Sequence, residues 1–271
     1  MMTTPQQQTI LQEMGYTRWY FRGQESGSGD QGSEAVAAVE IAPVVEAAPV
    51  VTMVEPVPAQ AVVVPPVAMP TVPQEDAPLH KDRAAAIARM SWEELARAVR
   101  ECSACPLCER RKQAVLGVGD TAADWLLIGE GPGEQEDLKG EPFVGQAGKL
   151  LDAMLAAIGL ARGQNVYIAN AVKCRPDNNR TPHAEEMAAC RPFLLRQIAL
   201  LQPKLLVLLG KAAVHSVLDD DQALAKLRKQ PLRFGQIPVA VTYHPAYLLR
   251  NLPEKAKAWE DLCRAKKIAE H

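Results

Sequence analysis

Residues 125–137 read WLLIGEGPGEQED, and this stretch decides the fold expected for the rest of the chain. Its first four residues form a short apolar run that ends at a glycine, as is typical of a strand buried on both faces. Similar runs recur downstream, separated by helical patterns at the spacing of βα units. The predicted strands are Trp125 to Ile128, Val166 to Ala171, Leu205 to Leu209 and Ile237 to Val241.

The stretches between these runs are amphipathic and predict helices that cover the sheet. Thr181 and Pro182 are a suitable cap and first residue for one of them. The predicted fold class is α/β, with a mostly parallel central sheet flanked by helices. A further helical pattern precedes the sheet at Arg83 to Arg100. The other predicted helices are Gly148 to Ile158, Ala184 to Leu201, Ala212 to Leu218 and Glu254 to Ala269.

The first 80 residues differ in composition from the rest. Between Ala35 and Pro78 the chain is almost entirely Ala, Val, Pro and Glu, with nine prolines and neither glycine nor aromatic residues. Each proline removes a backbone donor and fixes φ, so we expect a disordered extension over residues 1–80 and a folded domain over residues 81–271. A short aromatic segment near the N-terminus, which includes Trp19 to Phe21, could bind a protein partner or dock on its own domain.

Charge is divided unevenly along the chain, with a net −7 in residues 1–80 and +5 in residues 81–271. A mildly basic domain permits a polyanionic partner without requiring one. The N-terminus lacks the basic region and apolar core of a signal peptide, and Pro65 and Pro66 interrupt the apolar run around them. We therefore expect a cytoplasmic, monomeric protein with no membrane association.

The six cysteines of this chain predict metal ligands better than disulfides, since a cytoplasmic protein is kept reduced. Cys102 and Cys105 form a C-x-x-C turn, and Cys174 and Cys190 lie far downstream. Four thiolates with one close pair suit either tetrahedral zinc or an iron-sulfur cluster, and spacing alone does not choose between them. Cys108 is either an alternative ligand or a neighbour of the site.

Polar residues follow the predicted strands at the edge where ligands bind in open α/β sheets. Glu130 with its loop, Asn170, Gly210 and His244 occupy these positions. The loop after the first strand carries four carboxylates, which would repel phosphate, and it matches neither glycine-rich phosphate-binding pattern. It is better suited to activating water in a hydrolase.

Five segments of the chain carry a specific combination of motifs. They are CSAC at 102–105, GEGPGEQED at 129–137, GEPFVGQAGKLL at 140–151, NAVKCRPDNNRTP at 170–182 and YHPAYLLRN at 243–251. Together they resemble the iron-sulfur-containing family-4 uracil-DNA glycosylases, over about residues 100 to 265. The resemblance implies a three-layer fold and an enzyme of base excision repair that hydrolyses the N-glycosidic bond of uracil in DNA, leaving an abasic site.

The resemblance also implies roles for individual residues in the uracil site. Phe143 would stack on the extruded uracil, and Asn170 would read its Watson-Crick edge. His244 would donate a hydrogen bond to O2 of uracil and stabilise the charge that grows there. Glu130 and Glu136 are both candidates for positioning the water. Gly131 is expected beside uracil, at the position where the cluster-free enzymes of the superfamily carry an aspartate.

Metal and DNA contacts follow from the same resemblance. Cys102, Cys105, Cys174 and Cys190 match the ligands of a 4Fe-4S cluster, with zinc as the less favoured alternative. Leu248, Leu249 and Arg250 are expected to contact DNA. The two leucines could wedge into the base stack or could simply pack at the start of a helix.

Two alternatives to a hydrolytic enzyme are open, one within the same superfamily and one without catalytic activity. One branch of the superfamily crosslinks to the abasic product through a histidine in a basic insert, but CRPDNNRTP at 174–182 contains no such insert. A catalytically inactive, zinc-stabilised nucleic-acid-binding member would not need the full set of candidate site residues. Hydrolytic turnover is therefore favoured.

Deletion of residues 1–80 is expected to leave cleavage of uracil in short oligonucleotides intact, because the extension lies outside the resemblance. The measurement is the rate of alkali-induced strand scission with the full chain and with the truncated chain. An inactive but folded truncated protein would contradict this assignment of the extension.

Overall fold

A computed structural model describes residues 77–270 of the chain, with side chains from residue 82 onward. Nearly all of the predicted extension, including its aromatic segment, lies outside these residues. The disordered extension and the domain boundary at residue 80 therefore stay predictions.

Nine helices and six strands, besides two short 3₁₀ turns, make up the described part of the chain. In order they are α1 (Ala77–Ile87), α2 (Trp92–Glu101), a 3₁₀ turn (Pro106–Cys108), β1 (Val118–Gly119), β2 (Trp125–Gly129), α3 (Glu134–Lys139), α4 (Gln146–Ala157), β3 (Val166–Asn170), a 3₁₀ turn (Asp177–Asn179), α5 (Ala184–Leu201), β4 (Leu205–Leu209), α6 (Lys211–Leu218), α7 (Leu224–Leu227), β5 (Leu232–Phe234), β6 (Ile237–Thr242), α8 (Pro245–Arg250) and α9 (Glu254–Ala269). 

The strands form one mixed sheet in the order β1-β3-β2-β4-β6-β5. Strands β3, β2, β4 and β6 are parallel, whereas the short strands β1 and β5 pair antiparallel at the two edges. The predicted α/β class with a mostly parallel sheet is confirmed.

Side chains of the central strands alternate between two apolar layers, which explains why these runs are continuously hydrophobic. Leu127 faces the layer formed with α4, α8 and α9, whereas Leu126 and Ile128 face α5, α6 and α7. A third apolar cluster joins α1 and α2 to α5 and surrounds the cysteine-rich segment. The architecture is a three-layer sandwich with one additional helical corner.

Parallel pairing in register brings the ends of the strands to one edge. Gly129 at the end of β2 pairs with Asn170 at the end of β3, and Leu209 pairs with Thr242 on the other side. Residues that follow these ends therefore lie close together, as the sequence predicted.

Three local details differ from the predictions. The single helical pattern from Arg83 to Arg100 is two helices, and the second starts at the capping box of Ser91 and Glu94, whose spacing is visible in the sequence. Thr181 does not cap α5; His183 does, and its N–H donates to Glu186. The edge strands were missed because they are only two and three residues long.

Within residues 77–270, no helix is both long and apolar enough to cross a membrane.

Candidate active site

The end of β2 is the floor of the candidate site. A Cβ atom on Gly129 would lie 2.5 Å from Oδ1 of Asn170 and 2.5 Å from Cζ of Phe143, which is closer than side chains approach in proteins. Only glycine therefore allows the Asn170 amide and the Phe143 ring to converge on this strand end.

The Phe143 ring lies inside the molecule, with an exposed fraction of 5%. Its centroid is 5.4 Å from the centroid of the His244 ring, and the two planes are inclined by 30°. A planar ligand stacked here would be shielded from bulk water. Electrostatic interactions in such a place are stronger than in solvent.

The backbone at Phe143 is in the left-handed region, with φ 56°. This conformation is uncommon for a bulky residue and costs on the order of 1–3 kcal/mol. The following helix passes so close that a Cβ atom on Gly148 would lie 1.7 Å from the Phe143 carbonyl oxygen. Gly148 therefore makes room for the strained turn.

His244 is the N-cap residue of α8, and its Nδ1 accepts a hydrogen bond from the Ala246 N–H at 3.2 Å. In the neutral ring this leaves the proton on Nε2. Nε2 is buried and has no hydrogen-bond partner within the described residues. Burial and the charge of Arg250 lower the pKa of His244 to about 4, against the opposing effect of Glu136. At neutral pH the site thus holds an uncharged, unused N–H donor.

Asn170 supplies the complementary group. Its side chain is buried, and Oδ1 has no hydrogen-bond partner in the described part of the chain. Its backbone carbonyl accepts from Nζ of the buried Lys173 at 2.7 Å, so the strand end itself is fixed. A buried polar group without a partner is costly, and a ligand that satisfies both orphan atoms would remove that cost.

The two candidate carboxylates differ in their surroundings. Glu136 accepts three backbone hydrogen bonds, from Gly133 at 3.1 Å and from Val144 and Gly145 at 2.9 Å. These bonds tie the acidic loop to the Phe143 loop. Glu130 is half-buried, and burial raises its pKa against the hydrogen bond of Thr181, which lowers it.

Gly131 follows Glu130 in the loop between β2 and α3. A Cβ atom at this position would lie 2.8 Å from a methyl group of Val172. An aspartate would therefore fit here only if Val172 moved. The roles in catalysis and binding assigned to Glu130, Glu136, Gly131, Phe143, Asn170 and His244 stay predictions.

The cysteine-rich corner forms a second feature beside this site. An enclosed pocket is lined by Cys102 and Cys105, by Cys174 after β3 and by Cys190 on α5, with Cys108 as a fifth thiol. The four predicted ligands therefore share one pocket. Within residues 82–270, however, no three or more Cys, His, Asp or Glu side chains are arranged to hold a single metal ion.

Two cationic side chains and one backbone amide contact these sulfur atoms. Arg111 donates to Sγ of Cys174 at 2.9 Å, Arg83 donates to Sγ of Cys102 at 3.6 Å, and the backbone N–H of Lys173 donates to Sγ of Cys190 at 3.2 Å. Burial raises the pKa of Cys190 to about 12, against the opposing charge of Lys173. A metal bound here must displace that proton.

The residues predicted to contact DNA are divided by the structure. Leu248 is completely buried in the core between α4, α8 and α9, so it cannot reach DNA as it lies. Leu249 and the ring of Tyr247 are exposed, and Arg250 is exposed next to them. The packing of α8 against the core accounts for the position of Leu248. For Leu249 and Arg250, contact with DNA stays a prediction.

Sequence reasoning missed three residues that support these sites, namely Arg162, Lys173 and Arg111. Arg162 is in a surface loop where a charged residue is ordinary. Lys173 is next to Cys174 and Arg111 is three residues after Cys108, and this proximity in sequence indicates contact with the sulfur atoms.

The sequence of this chain is similar to those of known proteins. Residues 116–263 match the profile of the uracil DNA glycosylase superfamily. The chain is similar to the type-4 uracil-DNA glycosylase of Thermotoga maritima, with 45% identity over 62% of this chain and 89% of the relative. The type-4 enzyme of Pyrobaculum aerophilum is 37% identical over 64% of this chain and 92% of the relative. That of Saccharolobus solfataricus is 41% identical over 62% and 82% respectively.

We expect His244 to stay uncharged above about pH 5, because its pKa is lowered to about 4. The measurement is an NMR titration of the histidine ring carbons, with the His244 signal identified by its loss in the His244→Gln protein. A midpoint near the ordinary value of 6.5 would contradict the buried, neutral ring.

The same shift predicts a pH dependence of stability. Because the folded pKa lies below that of the unfolded chain, the unfolded chain binds the proton first as the pH falls. His244 therefore lowers the free energy of unfolding between about pH 6.5 and pH 4 and has no effect above that window. The His244→Gln protein should lack this component in urea unfolding.

Proposed function

The chain belongs to the uracil-DNA glycosylase superfamily, as a member of its type-4 group, and from this we propose that it hydrolyses the bond between uracil and deoxyribose in DNA. The products are free uracil and an abasic site, the first step of base excision repair. One observation carries the proposal. The buried Oδ1 of Asn170 and Nε2 of His244 both lack partners among residues 82–270, and both atoms belong to side chains beside the Phe143 ring.

Uracil offers the groups that these two atoms need. Its N3–H is a donor for Oδ1 of Asn170, and its O2 is an acceptor for the Nε2 proton of His244. Cytosine has no hydrogen on N3, so it would place an acceptor against Oδ1 and leave that oxygen and its own N3 unsatisfied, although its O2 could still accept from His244.

Cleavage breaks the bond between C1′ of the sugar and N1 of uracil. The electron pair goes to the base, and the sugar becomes oxocarbenium-like, as in other glycoside hydrolyses. The charge that grows on O2 meets the fixed Nε2–H dipole of His244 in a site without bulk water, which stabilises the transition state more than the ground state.

A water molecule completes the reaction: its oxygen bonds to C1′, and the proton that it loses balances the one that the uracil anion takes up from solvent. We assign the orientation of this water to Glu130, which is half-buried and whose carboxylate is hydrogen-bonded to Thr181. Glu136 is assigned a supporting role, because its two oxygens already accept three backbone N–H groups. Gly131, which follows Glu130 in the same loop, is assigned a place beside the uracil.

The DNA substrate is expected to approach over α8. The exposed Leu249 is the candidate for filling the gap left by the flipped nucleotide, and Arg250 for binding a phosphate. A cytoplasmic location and a monomeric state are consistent with this reaction and remain proposals.

The cysteine pocket fits an iron-sulfur cluster by the chemistry of its donors. Cys102, Cys105, Cys174 and Cys190 would hold a 4Fe-4S cluster, and Arg111 and Arg83 would donate hydrogen bonds to its sulfur ligands. The all-thiol set also permits zinc, which we regard as the weaker alternative. When bound, the group would crosslink the segment after α2 to β3 and α5, and it has no redox step in the reaction.

The decisive experiment is incubation of the purified protein with single- and double-stranded oligonucleotides that each carry one uracil, followed by alkali. We expect strand scission at the uracil and none at a cytosine or thymine in the same position. No scission in either form would contradict the proposed activity. A denaturant-resistant protein-DNA adduct would instead indicate the crosslinking branch.

His244→Ala is expected to lower the single-turnover cleavage rate by roughly 100-fold or more, with little change in DNA affinity, because its donor matters most in the transition state. Rate and affinity are measured on the same oligonucleotide, the latter by fluorescence anisotropy. His215→Ala, on α6 and paired with Asp221, is the matched control and should behave as wild type. Equal losses in rate and affinity would argue against this role.

The purified protein is expected to be brown, with a broad visible absorbance and about four irons per chain if the cluster is 4Fe-4S. Cys190→Ser should abolish the colour, because Cys190 lines the sulfur pocket. Cys263→Ser is the control, because Cys263 is on α9, away from that pocket. A colourless, zinc-loaded protein prepared without oxygen would remove iron from the proposal.

A further inference from the structure

We propose that Arg162 is a positioning residue that holds the Phe143 ring in the uracil pocket by binding the two carbonyl groups of the turn on which the ring is carried. This inference rests on the proposed function, because it assigns the Phe143 ring to stacking on uracil. It concerns a residue in the loop between α4 and β3, outside the sequence segments that pointed to the site.

The contacts of Arg162 are specific to this turn. Its Nη1 donates to the Pro142 carbonyl at 2.8 Å, and its Nη2 donates to the Phe143 carbonyl at 2.7 Å. Its Nε donates to Oδ1 of Asp152 on α4 at 3.1 Å, which fixes the guanidinium plane. Three acceptors therefore surround one planar cation, a geometry that a lysine ammonium does not reproduce.

The turn needs such a contact because Phe143 is held at a positive φ. A strained conformation persists only where its surroundings determine it fully. Arg162 binds the carbonyl groups on one side of the turn, and Glu136 accepts the N–H groups of Val144 and Gly145 on the other. Gly148 leaves the space that the Phe143 carbonyl occupies.

Without the Arg162 contacts, the Phe143 backbone could relax to a negative φ, and the direction of its side chain would change with it. The ring would then leave its position over Gly129 and beside His244. The expected defect is in stacking of the base, so free uracil should inhibit less well and cleavage should slow. Binding of DNA through its phosphates should change little, since Arg162 is paired with Asp152 and carbonyl groups.

The test is a double-mutant cycle of Arg162→Gln and Phe143→Ala, with Arg162→Lys as a variant that keeps the charge. Single-turnover cleavage, inhibition by free uracil and DNA affinity are measured for each protein. Arg162→Gln should lower the rate and raise the inhibition constant of uracil by roughly tenfold each in the wild-type background. In the Phe143→Ala background the further loss should be less than about twofold, because the ring on which Arg162 acts is gone.

Arg162→Lys should lose nearly as much as Arg162→Gln, because the fork geometry and not the charge is required. Arg233→Gln, on the exposed edge strand β5, is the control for loss of a surface arginine and should match wild type. Melting temperatures confirm that each protein is folded, and Arg162→Lys carries the test alone if Arg162→Gln is not.

The outcomes separate this inference from the proposed function. Failure of the wild-type protein to release uracil would contradict the function itself. Normal cleavage by the wild-type protein, combined with additive losses in the cycle or full activity of Arg162→Lys, would overturn only the role of Arg162.

Discussion

The parallel pairing of β2 with β3 and β4 is the constraint on which the rest of the structure depends. It places the ends of neighbouring strands level with one another, and Gly129 opposite Asn170 in particular. The residues that follow these strand ends are therefore close together in space. Gly129 permits this close approach because it has no side chain, since a methyl group there would displace both the Asn170 amide and the Phe143 ring.

The candidate uracil site and the cysteine corner differ in electrostatic character. The two groups proposed to bind the base are neutral, because burial keeps His244 uncharged and Asn170 is an amide. Around the cysteines the neighbours are cations, which favour ionised sulfur. Lys173 joins the two regions, with its N–H on the Cys190 sulfur and its Nζ on the Asn170 carbonyl. A disturbance of the cysteine corner therefore reaches the strand that ends at Asn170 through one residue.

Much of this arrangement could be predicted from the sequence. The apolar runs fixed the four parallel strands because strands buried on both faces admit few polar residues, and α5 and α9 were predicted at their observed bounds. The strand ends then indicated Glu130, Asn170 and His244. Features that depend on three-dimensional contacts were not predictable. Such features depend on which segments meet in space, and local sequence patterns do not determine that. They include the burial of Leu248, the three backbone hydrogen bonds of Glu136 and the contacts of Arg162.

The hydrogen bond from the Ala246 N–H to Nδ1 of His244 has a consequence for the fate of the proton in the proposed reaction. A ring locked in this tautomer offers its one hydrogen as a dipole, and a neutral imidazole is too weak an acid to surrender it to a departing pyrimidine. The base therefore leaves as an anion, paired with the cationic sugar until water arrives, and it acquires its hydrogen only after reaching solvent. The enzyme would then work by stabilising separated charge, with no proton transfer in the step that breaks the bond.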